Sequence, residues 1–229
     1  TFPESDSSYI LIDGYKGGSS IEVIPSERKI RGYCRNNHGG VPDNFHNYFV
    51  MVFDHDFSYY ATASGGRVEN GAVKQEGDHV YAVAGFCTKR GETVNVKVAS
   101  SFISPEQAEL NLDREIGKRS FDEVKDAGMK EWNNMLGRVR VEGGSEDQTR
   151  TFYSTLYRTM LFPREFYETD RNGKVIHYSP YNGKVTDGYM FTDNGFWDTF
   201  RAEFPLNTLL FPELNSKMMA GLVNTYLES

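Results

Sequence analysis

The run of the sequence best equipped for chemistry is Phe196-Trp197-Asp198-Thr199-Phe200-Arg201. On a helix, Asp198 and Arg201 are three apart and share a face, and Trp197 and Arg201 are four apart. An aromatic plane beside a carboxylate and a guanidinium suits a sugar. The ring covers the apolar C–H face of a pyranose, and the charged groups bond its hydroxyls. The same spacing equally describes an internal Asp198–Arg201 salt bridge beside a core tryptophan, so spacing alone leaves both readings open. Residues 164–194, just upstream, read as a long polar and aromatic loop. Loops of that length inside ordered proteins are usually functional. This one carries Tyr167, Glu168, Asp170, His177, Tyr178, Tyr181, Asp187, Tyr189 and Asp193. Carboxylates among tyrosines suit acid/base work. They suit a solvated loop pinned by its aromatics equally well, and no pair of acids stands out.

Other candidates are weaker. Asp54-His55-Asp56 has metal-ligating residue types, but in a strand His55 points away from the two aspartates. Asp170-Arg171-Asn172-Gly173 begins like a calcium loop and lacks the distal glutamate, so it reads as a polar turn. Cys34 and Cys87 have no CxxC partner, which leaves pairing in an oxidising compartment open. No nucleophile elbow, phosphate loop, dinucleotide fingerprint or HExxH occurs. A net charge of −7 over 229 residues argues against a broad nucleic-acid or anionic-membrane surface. No apolar run approaches the roughly 20 residues of a membrane span. Aromatic residues make up 14% of a chain whose mean hydropathy is −0.56, more than one small core would use. No signal sequence follows Thr1. Either a leader has been removed or the sequence belongs to a longer protein.

The elements that must position these residues change character along the chain. Residues 8–13, 20–24, 29–33, 48–54, 58–62, 79–86 and 93–101 read as short strands between glycine-rich turns, with Val94, Val96 and Val98 alternating as in a half-buried strand. That pattern predicts an antiparallel β-sandwich, with residues 35–47 as a surface loop. Helical spacing starts at Ser104, where an N-cap, Pro105 and a capping-box Gln107 stand in order. Capping boxes recur at Ser120 and Ser145. The second helix is expected to bury Val124, Ala127, Gly128, Trp132, Met135 and Leu136, and to stop at Gly137 in the αL conformation. Residues 138–141 alternate briefly like a strand. The third helix carries Phe152, Leu156 and Met160 and is ended by Pro163. Residues 196–211 read as a helix interrupted at Pro205, and a last helix presents Leu214, Met218, Leu222 and Tyr226 on one face. The expected fold class is α+β, because strands precede helices instead of alternating with them. The expected division is a β-sandwich over 1–103, a helical linker over 104–144 and a further helical domain over 145–229.

Phe152-Tyr153-Ser154-Thr155-Leu156-Tyr157-Arg158-Thr159-Met160-Leu161 followed by Pro163-Arg164 resembles a signature of glycoside hydrolase family 92. Phe196-Trp197-Asp198-Thr199-Phe200-Arg201 with Phe204-Pro205-Leu206 resembles a second, more specific one. Ser104-Pro105-Glu106-Gln107-Ala108, Asn111-Leu112, Glu115-Ile116 and Trp132-Asn133 with Leu136 are similar to the family's linker. The ordered match runs over 104–229. The resemblance implies a calcium-dependent, inverting exo-α-mannosidase acting on mannose-containing glycans, often at α-1,2 bonds. It implies a β-sandwich joined by helices to a six-hairpin α/α barrel, of which 145–229 would be the start. Carried over residue by residue, it implies that Trp197, Asp198 and Arg201, with Phe196, line the pocket for the terminal mannose, Asp198 binding hydroxyls. The general acid, the general base and the main calcium ligands are expected beyond Ser229, so no catalytic residue or metal ligand is assigned within the chain, which alone would be inactive. A glycan substrate implies a periplasmic or secreted location. Two other readings stand beside it: a non-catalytic carbohydrate-binding module of a larger protein, and an α/α-barrel glycosidase for another sugar.

Overall fold

The computed structural model describes all residues, 1–229. They form two compact units, one of residues 1–117 with 180–183, the other of residues 118–179 with 184–229.

The first unit is built on two antiparallel sheets. One contains β1 (Ser5–Asp13), β8 (Val80–Thr88), β5 (Tyr59–Ser64) and β6 (Arg67–Asn70) in that order. The other contains β7 (Lys74–Gly77), β2 (Ser19–Ile24), β3 (Lys29–Cys34), β4 (Asn47–Phe53) and β9 (Val96–Ser101). Their alternating apolar residues meet in one core: Ile12, Val80, Ala82, Ala84 and Phe86 from the first sheet, Ile21, Val23, Ile30 and Phe53 from the second. This is the expected sandwich, with two additions. β6 and β7 are polar strands of four residues each, too short and too exposed for a period-2 signal. Val94 and Val96 pack on the core, but Val98, on edge strand β9, is exposed. Cys34 and Cys87 are both free thiols.

Helix α1 (Pro105–Glu115) lies against β4 and β9. Ser104 Oγ accepts from Gln107 N, and Ala108 is fully buried. The buried Gln107 donates to Asn111 Oδ1, and Asn111 Nδ2 donates to the Ser100 carbonyl. α1 thus belongs to the unit of the sheets, although it falls in the stretch the sequence reads as linker.

The second unit begins with α2 (Phe121–Leu136) and α3 (Glu146–Arg158), each opened by a complete capping box, at Ser120 and Ser145. α2 departs from expectation: none of its residues is buried, and Ala127, Gly128 and Trp132 are exposed. No other element of this unit covers its stripe over most of its length. Gly137 closes α2 at φ −68°, a right-handed conformation, so no αL residue is needed there. Residues 138–141 form no strand, and α3 ends at Arg158, ahead of Pro163.

Residues 164–194 are not a loop. β10 (Arg164–Glu165) pairs with β14 (Phe191–Thr192), and β11 (Glu168–Thr169), β12 (Val175–Tyr178) and β13 (Val185–Asp187) form a three-stranded antiparallel sheet. Strands of two to four residues fall below the length at which alternation can be read. α4 (Phe196–Thr199), α5 (Glu203–Leu210) and α6 (Pro212–Glu228) complete the unit. The break expected at Pro205 falls at Ala202 instead (φ −130°, ψ −47°). Pro205 sits in the first turn of α5, where its missing N–H removes no helical bond. Phe191, Phe204 and Met218 are buried together, with Leu214 and Leu222 packed on them. Tyr226, expected on the same face, is exposed near the end of α6.

Candidate functional site

The turn that carries the Trp-Asp-Arg run is set up by backbone geometry. Asp193 stands at φ +62°, in the left-handed region, and its carboxylate pairs with Arg164 at 2.9 Å across the β10–β14 ladder. Gly195 then caps a single turn of helix, α4. A Cβ at Gly195 would meet Asp198 Oδ2 at 2.9 Å, so glycine leaves the room that the carboxylate occupies. Thr199, buried below, donates its hydroxyl to Asn194 Oδ1 at 3.1 Å. Phe196 anchors the turn from the other side, its ring 5.8 Å from that of buried Phe204.

The predicted site residues are therefore held on one surface turn. Trp197 is 74% exposed and is no core residue. Arg201 lies over two rings, 5.1 Å from the centroid of Trp197 and 5.2 Å from that of Phe200. Asp198 and Arg201 form no ion pair. The helical spacing that suggested one does not apply, because α4 ends at Thr199 and Arg201 lies beyond it. The salt-bridge reading is thus not what the fold builds. Asp198 is left with free acceptor capacity beside an indole whose cationic neighbour fixes its plane.

A residue that spacing did not reveal is Glu203, at the start of α5. Burial pushes its carboxyl above the ordinary glutamate range, and Oε1 is enclosed without a hydrogen-bond partner. Its signal is burial, which no local pattern around Glu203 announces. Tyr167, of the upstream segment, donates to Glu165 Oε1 at 3.1 Å, and burial first, then the Glu165 charge, pushes its phenol upward. Asp170 accepts from the Asn172 and Lys174 amides, which makes it a polar turn. Asp54 and His55 bond each other at 2.6 Å, and His55 Nε2 reaches Glu92 at 3.2 Å, while Asp56 points to solvent. Asp54, His55 and Glu92 make a surface clasp from which Asp56 stands apart, so the triplet is no ligand set. No group of three or more His, Cys, Asp or Glu side chains in residues 1–229 is placed to hold a metal ion.

The sequence matches the glycosyl hydrolase family 92 N-terminal domain over residues 1–101 and the glycosyl hydrolase family 92 catalytic domain over residues 107–229. The chain belongs to glycosyl hydrolase family 92. An inverting mannosidase of that family from Bacteroides thetaiotaomicron is similar at 49% identity and a TM-score of 0.96, with all of this chain covering 31% of that one. A second family 92 α-mannosidase from the same organism, solved in complex with mannoimidazole, is 25% identical with a TM-score of 0.86, again over all of this chain and 31% of that one. An uncharacterised secreted glycosidase of Arthroderma benhamiae is 32% identical over 77 residues, which is 32% of this chain and 10% of the relative. The chain thus spans about a third of the length of these solved relatives. No helix is long and apolar enough to cross a membrane.

Proposed function

We propose that this chain is part of an inverting exo-α-mannosidase that removes terminal α-linked mannose, with α-1,2 bonds as the preferred linkage, from N-glycan or mannan-type glycans. The observation that carries the reading is the exposed Trp197, braced by Arg201, with the unpaired Asp198 carboxylate next to it on the same turn. In this reading the indole of Trp197 covers the C–H face of the terminal mannose. Asp198 accepts hydrogen bonds from its hydroxyls, Arg201 donates to them, and Phe196 bounds the pocket. Stacking and charge-assisted bonds hold the sugar and orient its anomeric carbon. Inversion needs an acid on the leaving oxygen and a carboxylate that activates water across the ring. Both are assigned outside residues 1–229, as are the ligands of the calcium ion that the reading includes. The domain division follows the same reading: sandwich over 1–103, linker over 104–144, first helices of the barrel over 145–229. A glycan substrate and the secreted relative support a periplasmic or secreted location.

Residues 1–229 and the full-length protein, each assayed with calcium on α-1,2-mannobiose, test this. The longer protein is expected to turn over and the shorter is not. Turnover by residues 1–229 alone would overthrow the assignment of acid and base. A full-length protein that binds mannan without hydrolysing it would be a binding module.

A further inference from the structure

His177 was one of many polar residues in the upstream segment and has no part in the proposed chemistry. It is 0% exposed, and its ring is bonded on both sides. Nδ1 lies 2.9 Å from the Gly188 carbonyl, which only accepts, so Nδ1 donates. Nε2 lies 2.9 Å from Glu228 Oε1, on the last turn of α6. Thr186 Oγ1 closes the triangle, 3.0 Å from Nε2 and 3.1 Å from Glu228 Oε1. A neutral ring has one N–H and has spent it on Gly188. The contact with Glu228 therefore needs a second hydrogen, held between Nε2 and the carboxyl, and the Thr186 hydroxyl bonds both ends of it.

These bonds tie α6 to the strand that runs into the Trp-Asp-Arg turn. One turn before Glu228, Thr225 Oγ1 bonds Met190 Sδ and Asn224 Nδ2 donates to the Tyr189 carbonyl at 2.8 Å. Gly188 stands at φ +102°, and a Cβ there would come within 2.8 Å of Asn224 Nδ2. Gly221 packs directly on Phe191, leaving no room for a Cβ, which would lie 2.9 Å from that ring. Residues 186–192 are thus held along one face of α6, with buried His177 and partly buried Glu228 as the polar lock near residue 228. The chain then passes through Asp193 and Asn194 into α4. We propose that His177 is a positioning residue for the Trp197–Asp198–Arg201 turn, acting through residues 186–195 by its bonds to Gly188 and Glu228. The proposal rests on reading that turn as the sugar pocket.

The test uses the full-length protein with His177→Leu, Thr186→Val, Glu228→Leu and Glu228→Gln. Amide hydrogen exchange over 186–195, mannoimidazole affinity and thermal midpoint are read together. His177→Leu and Glu228→Leu are expected to lower exchange protection over 186–195, and to weaken mannoimidazole binding by about tenfold or more, because the sugar contacts depend on where the turn is held. Thr186→Val, which removes one hydroxyl, keeps the fold and is expected to show the same effects in smaller measure. Glu228→Gln is expected to behave nearly as wild type, because its amide donates to a neutral Nε2. Unchanged protection over 186–195 in the Leu variants and Thr186→Val, or protection lost evenly over 118–229, overturns the proposal. Failure of Glu228→Gln to restore binding overturns it too. A protein that binds no mannoimidazole at all, yet loses protection over 186–195 as described, overturns the sugar reading while the lock stands.

Discussion

Replacing Trp197 by alanine separates binding from folding. The indole is 74% exposed, so it contributes little to the packed interior. What the fold loses is the stacking of Arg201, 5.1 Å from the ring, worth about 0.5–1 kcal/mol at an exposed site. A bound pyranose changes the accounting. If a sugar face covers roughly 50 Å² of indole and hides a similar area of its own, about 25 cal/mol per Å² gives about 2.5 kcal/mol. That corresponds to a loss of roughly 70-fold in affinity, since about 1.4 kcal/mol is tenfold. Calorimetric titration of the full-length protein with mannoimidazole, beside a thermal melt, measures both quantities. The expected result is affinity down by one to two orders of magnitude with a small shift in Tm. Affinity within twofold of wild type would refute the stacking argument. A melting point lowered by many degrees would show that Trp197 serves packing instead.

Three further outcomes follow from other parts of the chain. The hydrogen bond that His55 donates to the Asp54 carboxylate, with that group's charge, raises the His55 imidazole above its ordinary 6.5. Asp54 is pulled below 3.8 by Asn95 and His55 although burial pushes the other way. A raised histidine stabilises fully below 6.5 and loses that contribution as pH climbs through its folded value, while a depressed carboxylate loses its own as pH falls below about 4. His55→Ala is therefore expected to lower Tm more at pH 5.5 than at pH 8.5, and equal losses at both would contradict the clasp. Gly32→Ala would press a Cβ into the Ser20 carbonyl and bring it to 2.8 Å from the Phe49 ring, prying β2 from β3. A loss of about 1–3 kcal/mol in denaturant unfolding is expected, and an unchanged midpoint would refute it. Ser145→Ala removes the hydroxyl that accepts from Gln148 N and is expected to cost about 1 kcal/mol, with exchange protection lost first in α3.

Much of the fold was legible because its signals are local. The caps at Ser104, Ser120 and Ser145 are chemistry within four residues, and the sandwich strands are long enough to alternate. What escaped is non-local. β10 and β14 are two-residue strands whose partners lie 26 positions or more away, as in Glu165 opposite Phe191. The stripe of α2 shows that an apolar period predicts a face for burial but does not supply what covers it. The site was half legible. The residue types of Trp197, Asp198 and Arg201 left a sugar-facing turn and an internal salt bridge both open, whereas the end of α4 at Thr199, which separates Asp198 from Arg201, follows from Gly195 and the turn at Ala202. Glu203 and His177 owe their character to burial in the folded chain, and no local pattern carries that.

The most direct test of the central assignment is proton NMR of α-1,2-mannobiose hydrolysis by the full-length protein, followed from the first minutes, with calcium and with a chelator, for wild type and Asp198→Asn. The account predicts that β-mannose appears first, that the chelator abolishes turnover, and that Asp198→Asn weakens it by a rise in KM as well as a fall in kcat. First release of α-mannose, or hydrolysis of an α-glucoside with mannobiose left intact, would contradict it.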